Sequence, residues 1–170
     1  MSRAIIPATI VTLIIVALQL EVLSTLRFSG VVVMLVWLWP LAMGLTGFTS
    51  LALWVALVGG VLFDTHSTTP FGLTAIVGII LAYGASRLGR EGIGDLDSAA
   101  IWVTPVIGAV GGFAAPLLYT FGGAFALNFG LWRGSLLTMM VVNAFAFLLL
   151  ARPVTRIAKV LSNVGDRARR

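Results

Sequence analysis

Five stretches of this chain carry no charged residue, and together they hold 128 of its 170 residues. Arg3 to Glu21 encloses 17 residues, Arg27 to Asp64 encloses 36, Asp64 to Arg87 encloses 22, Asp97 to Arg133 encloses 35, and Arg133 to Arg152 encloses 18. A helix crossing the ~30 Å hydrocarbon core of a bilayer needs about 20 apolar residues, roughly 17–25. The three shorter stretches each fit one such helix. The longest would reach ~54 Å as a single helix at ~1.5 Å per residue, too long for one crossing. It breaks at Gly44-Leu45-Thr46-Gly47-Phe48-Thr49-Ser50, which predicts two helices, over residues 31–45 and 49–63, joined by a tight turn. The stretch after Asp97 holds Pro105, Pro116 and six glycines from Gly108 to Gly130. It reads either as one helix over residues 99–119 followed by a glycine-rich segment over 120–132, or as two short helices.

Cations choose between these layouts, because Lys and Arg concentrate on the cytoplasmic side of a membrane. Six spans put nine cations (Arg3, Arg87, Arg90, Arg152, Arg156, Lys159, Arg167, Arg169 and Arg170) on one side and two (Arg27 and Arg133) on the other. Seven spans give seven against four. The expected architecture is therefore an all-α polytopic membrane protein. Six transmembrane helices occupy residues 1–151, both termini are cytoplasmic, and residues 152–170 form a basic cytoplasmic tail. Charged residues are only 10% of the chain and its mean hydropathy is +1.08, whereas a soluble domain carries about 25% charge. That excludes a soluble enzyme, a disordered protein and an ordinary nucleic-acid-binding domain. The net charge of +5 comes mainly from the tail and does not point to nucleic acid. The first apolar run ends in Gln19-Leu20-Glu21-Val22 without a small-residue cleavage site, so it is expected to be a retained span.

No catalytic constellation is visible, and no cofactor is implied. The chain has no Cys and a single histidine, His66. A metal site usually needs three or four ligands, so His66 reads as a solvated loop residue. No glycine run precedes a Lys-Ser/Thr pair, which weighs against an ATPase. Polar residues within apolar stretches are costly and often functional. Here they are Gln19 and Glu21 near the end of the first helix, Asn143 in the last, and Asn128 in the glycine-rich segment. They form no cluster, and their expected role is hydrogen bonding across helices. Small residues four apart, such as Ala56 and Gly60, Ala82 and Ser86, Gly108 and Gly112, and Gly111 and Ala115, suit close helix packing. Trp54, Trp102 and Trp132 suit interfacial anchoring, while Trp37 and Trp39 fit either that or the bundle interior. In the tail, Val154, Ile157, Leu161 and Val164 fall at helical spacing with Arg156 and Lys159 off the stripe. This fits both an amphipathic segment on an anionic leaflet and a plain positive-inside bias.

The most specific stretch is Val58-Gly-Gly-Val-Leu-Phe-Asp-Thr-His-Ser-Thr-Thr-Pro-Phe-Gly-Leu73. A glycine-containing helix ends in Asp64, the first charge after a long uncharged run, and a polar loop follows. Ser67, Thr68 and Thr69 can cap the next helix, and Pro70 suits its first turn. The pattern Gly60, Asp64, Pro70, Gly72, Leu73 resembles the MreD family of rod shape-determining proteins. The hydropathy profile is similar along nearly the whole chain, whereas the sequence likeness covers residues 59–73. The chain departs from the family where the second span opens: Arg27-Phe28-Ser29-Gly30-Val31-Val32 replaces a Pro-Asp pair, which marks a divergent member.

The resemblance implies a non-enzymatic scaffold in the bacterial cytoplasmic membrane that pairs with the single-span protein MreC. It also implies work alongside a RodA-type glycosyltransferase, a class B penicillin-binding protein and MreB filaments. Asp64, Pro70, Phe71 and Gly72 would then shape the extracytoplasmic end where a partner docks. The family's fold is similar to the S component of energy-coupling factor transporters. The alternative function is therefore a membrane subunit that binds a small molecule.

Overall fold

The computed structural model describes residues 2–23, 33–66, 70–91, 105–106, 108–110 and 129–167. Among the described residues every regular element is helical. Helix α1 (Ser2–Leu18) runs on into a π-helical turn over Gln19–Leu23. Then follow α2 (Leu35–Leu45), α3 (Thr49–Asp64), α4 (Leu73–Arg90) and a long helix, α5 (Phe129–Arg167). The turn between α2 and α3 falls where the glycine break predicts it. Gly47 has φ +82 and follows the C-cap Thr46, a position that needs the left-handed region and so favours glycine. Residues 129–132, assigned from sequence to a glycine-rich segment, instead open α5, and residues 120–128 lie outside the described residues.

The helices alternate in direction. The start of α1 (Ala4, Ala8) packs with the end of α2 (Trp39, Met43) and with Ala158 and Leu161 of α5. The end of α1 meets the start of α2, where Gln19 reaches Leu35. Helix α4 makes the most extensive contacts, with α3 and with α2. This alternation gathers Arg87, Arg90, Arg152, Arg156 and Lys159 at the end where α1 begins. Asp64 and the π-helical turn lie at the opposite end.

Helix α2 is apolar on every side, and all eleven of its residues are buried, Pro40 included. A helix that is hydrophobic all round belongs in an interior. Trp37 and Trp39 are therefore core residues, not interfacial anchors.

The helices around α2 are packed inside out by the standard of a water-soluble fold. The buried stripe of α1 is Ala4, Ala8, Thr12, Val16 and Gln19, while Ile6, Ile10, Leu13, Ile14 and Leu18 are exposed. In α4, Thr74, Ala75, Val77, Gly78, Ala82, Ala85 and Ser86 are buried, and Ile76, Ile80 and Tyr83 are exposed. In α5, Asn143, Ala146 and Phe147 point inward, while Leu137, Val141, Phe145 and Leu149 point outward. Water would penalise each large exposed aliphatic by about 1.5–3 kcal/mol relative to burial. By length and composition, Ala4–Val22 can cross a membrane, and Leu137–Leu150 with Arg152–Leu161 passes the same test as a pair bent by 57°. Helices α2 and α3 are apolar but shorter.

Pro153 explains the bend: it lacks an N–H for the helix ladder, and its ring collides with the carbonyl four residues back. The bend falls between Leu150 and Arg152, within α5. Ala158 and Leu161 sit in the same core as α1 and α2.

Candidate functional site: the junction between α3 and α4

The junction begins with a close approach. A Cβ built on Gly60 would lie 2.8 Å from Ala75 Cβ, and it would also collide with the Cα and amide nitrogen of Ala75. Glycine at this position lets the end of α3 touch the start of α4. Ala56, one turn earlier, faces Gly78, so the Ala56/Gly60 pair packs within the chain. The Ala82/Ser86 pair is likewise turned inward, against Gly44 of α2.

Asp64 lies one turn beyond Gly60 on the same face and is only 4% exposed. Its Oδ2 accepts a hydrogen bond from the Thr74 backbone N–H at 3.0 Å. The first N–H groups of a helix have no partner within it, and its N-terminus favours negative charge. The N-cap position of α4 is Gly72, which has no side chain to supply a cap. Asp64, ten residues before Thr74, supplies it from the neighbouring helix. This explains an acidic residue that had no cap to make within its own helix. Ser67, Thr68 and Thr69, the expected caps, lie outside the described residues.

The turn itself is set by Gly72, with φ +87 and ψ −9. Leu73 N–H donates to the Pro70 carbonyl at 3.1 Å, which closes a β-turn with glycine at its third position, as a type II turn requires. Pro70 therefore opens this turn rather than forming the first turn of α4. Phe71 stands at its tip, 73% exposed, the most exposed of the large hydrophobic side chains described. Of the four residues singled out in the sequence, Pro70 and Phe71 are exposed, Gly72 is half-buried and Asp64 is turned inward. His66 is exposed beside them; its Nδ1 lies 2.9 Å from Thr65 Oγ1 and 3.1 Å from the Leu62 carbonyl. Among the described residues no group of three or more His, Cys, Asp or Glu side chains could hold a metal ion.

A second junction at the same end repeats the device. Met34, the N-cap of α2, makes no side-chain cap. Gln19 donates from Nε2 to the Val33 carbonyl at 2.9 Å and accepts from Leu35 N–H through Oε1 at 2.7 Å. Asn143 of α5 accepts from Met34 N–H at 3.1 Å. Both amides are 1% exposed. They do bond across helices, but to backbone groups at a helix start rather than to each other. Trp37, Val77 and the flanking Phe63 and Leu73 fill the space between the two junctions.

Thr12 and Thr9 of α1 were not singled out in the sequence. Thr12 Oγ1 accepts from Trp39 Nε1 at 3.0 Å, and Thr9 Oγ1 accepts from Trp54 Nε1 at 3.1 Å. Each threonine also donates to the carbonyl four residues back. Their three-residue spacing on the Ala4–Ala8 face was the available signal.

The chain matches no protein-family model, no curated protein and no solved structure.

Proposed function

We propose that this chain is a six-span protein of the bacterial cytoplasmic membrane with both termini in the cytoplasm. It acts as a non-enzymatic scaffold of the cell-wall elongation machinery, like the MreD family it resembles, and docks MreC at the turn between α3 and α4. The inside-out packing supports immersion in lipid, where small and polar residues mediate helix contacts and large aliphatics face the acyl chains. The gathering of Arg87, Arg90, Arg152 and Arg156 at one end supports the orientation.

The observation that carries the docking site is the division of labour within the resemblance motif. Gly60 lets α3 meet α4, Asp64 caps α4, and Gly72 closes the turn that holds Phe71 outward at 73% exposure. An aromatic side chain on a preorganised turn is a suitable anchor for a partner, because little entropy is lost when it docks. Asp64 acts here as a positioning residue. Co-purification of MreC with the full-length chain tests this. Phe71→Ser should lose MreC while thermal stability stays at the parent value. Full recovery of MreC with Phe71→Ser would remove the turn from the interface.

A further inference from the structure

The residues after the Pro153 bend carry a surface that the scaffold reading leaves unused. Arg152–Leu161 departs by 57° from the direction of Leu137–Leu150. Its inner edge is Thr155, Ala158 and Leu161, all buried, with Ala158 and Leu161 in the core that holds Ala4 and Ala8. The sequence stripe through Ile157 is not the packed one. Ile157 is exposed, because the smaller Thr155 and Ala158 permit the close approach.

At 3.6 residues per turn the outer face divides into two edges. Lys159, Arg152 and Arg156 follow one another on the first, with both arginines exposed. Val160, Pro153 and Ile157 follow on the second, with Val160 63% exposed. Bulk water penalises the aliphatic edge, and the acyl core penalises the guanidinium edge. One environment suits both: the boundary of headgroups and acyl chains, where an amphipathic helix buries its apolar edge ~5–10 Å deep.

We propose that Arg152–Leu161 lies in the plane of the leaflet and binds anionic phospholipid headgroups through Arg152 and Arg156, with Ile157 and Val160 among the outermost acyl carbons. This rests on the membrane reading above and adds to it a segment, a depth and a lipid class. Two cations at an anionic surface shift lipid selectivity by about 25-fold, roughly fivefold each.

The chain has no cysteine, so Val160→Cys and Val141→Cys each give a unique nitroxide site in the full-length protein. Both go into nanodiscs of phosphatidylcholine with phosphatidylglycerol. Paramagnetic-relaxer accessibility should place the label at 160 at the headgroup boundary and the label at 141 in the acyl core. Spin-labelled phosphatidylglycerol should be retained over phosphatidylcholine, and Arg152→Gln with Arg156→Gln should abolish that preference. Water-like accessibility at 160 with acyl-like accessibility at 141 would overturn this proposal alone. So would a phosphatidylglycerol preference unchanged by the double substitution. Water-like accessibility at both positions would overturn the membrane reading itself.

Discussion

Two alanine substitutions with opposite expected signs test whether α3 and α4 are locked at the junction. At Gly60 an added Cβ would sit 2.8 Å from Ala75 Cβ and nearer still to Ala75 backbone. Carbon atoms prefer ~3.5–4.0 Å, so the helices must separate by roughly 1 Å. A gap of that size forfeits a quarter to a half of each dispersion contact across it, and overpacking of this kind typically costs about 1–3 kcal/mol. The same shift would stretch the Asp64–Thr74 bond from 3.0 Å beyond hydrogen-bonding distance, which adds about 1 kcal/mol. The helix propensity of alanine over glycine returns about 1 kcal/mol.

Gly60→Ala should therefore destabilise by about 1–3 kcal/mol in total. At Gly84 nothing lies within 4 Å of the added Cβ, so only the propensity gain remains and Gly84→Ala should stabilise by up to about 1 kcal/mol. Thermal unfolding of the full chain in nanodiscs, followed by far-UV circular dichroism, reads the difference. Gly60→Ala should melt several degrees below the parent and Gly84→Ala at or above it. A Gly60→Ala protein as stable as the parent would refute the close-contact argument.

Asp64→Ala removes the acceptor for Thr74 N–H and should cost about 1–2 kcal/mol, whereas Asp64→Asn keeps an acceptor oxygen and should cost less than half as much in the same melt. Equal losses would assign Asp64 another role. Gln19→Leu leaves the Leu35 N–H without its side-chain acceptor and should cost about 1–3 kcal/mol despite similar volume, with faster amide exchange at residues 34–36 by mass spectrometry. Unchanged exchange there would contradict the capping role.

What the sequence made legible was local. The break at Gly44–Ser50 was readable because Gly47 supplies a conformation other residues avoid, and helices α2 and α3 end and begin beside it as expected. What it hid was non-local. Asp64 and Gln19 looked like charges or polar groups at span ends. Their partners are backbone amides of other helices, and Asn143 reaches one 109 positions away. Rules for helix caps inspect three or four neighbouring residues and cannot see such a donor. The inward face of α5 was not legible for a related reason. The apolar stripe runs through Val154, Ile157 and Leu161, but this helix packs through Thr155, Ala158 and Leu161 and leaves Ile157 and Val160 outside. The sequence also left Trp39 open between the interface and the bundle interior, because the Thr12 hydroxyl that holds it inside lies 27 residues away.

In the proposed arrangement the two ends of the bundle lie on opposite sides of a membrane, with the turn at Phe71 outside. Single cysteines at His66→Cys and Arg90→Cys, probed in intact cells with a membrane-impermeant maleimide, measure this directly. Position 66 should label from outside, and position 90 only after the cells are permeabilised. Labelling of position 90 in intact cells, or protection of position 66 until permeabilisation, would contradict the orientation and with it the docking of an extracytoplasmic partner at that turn.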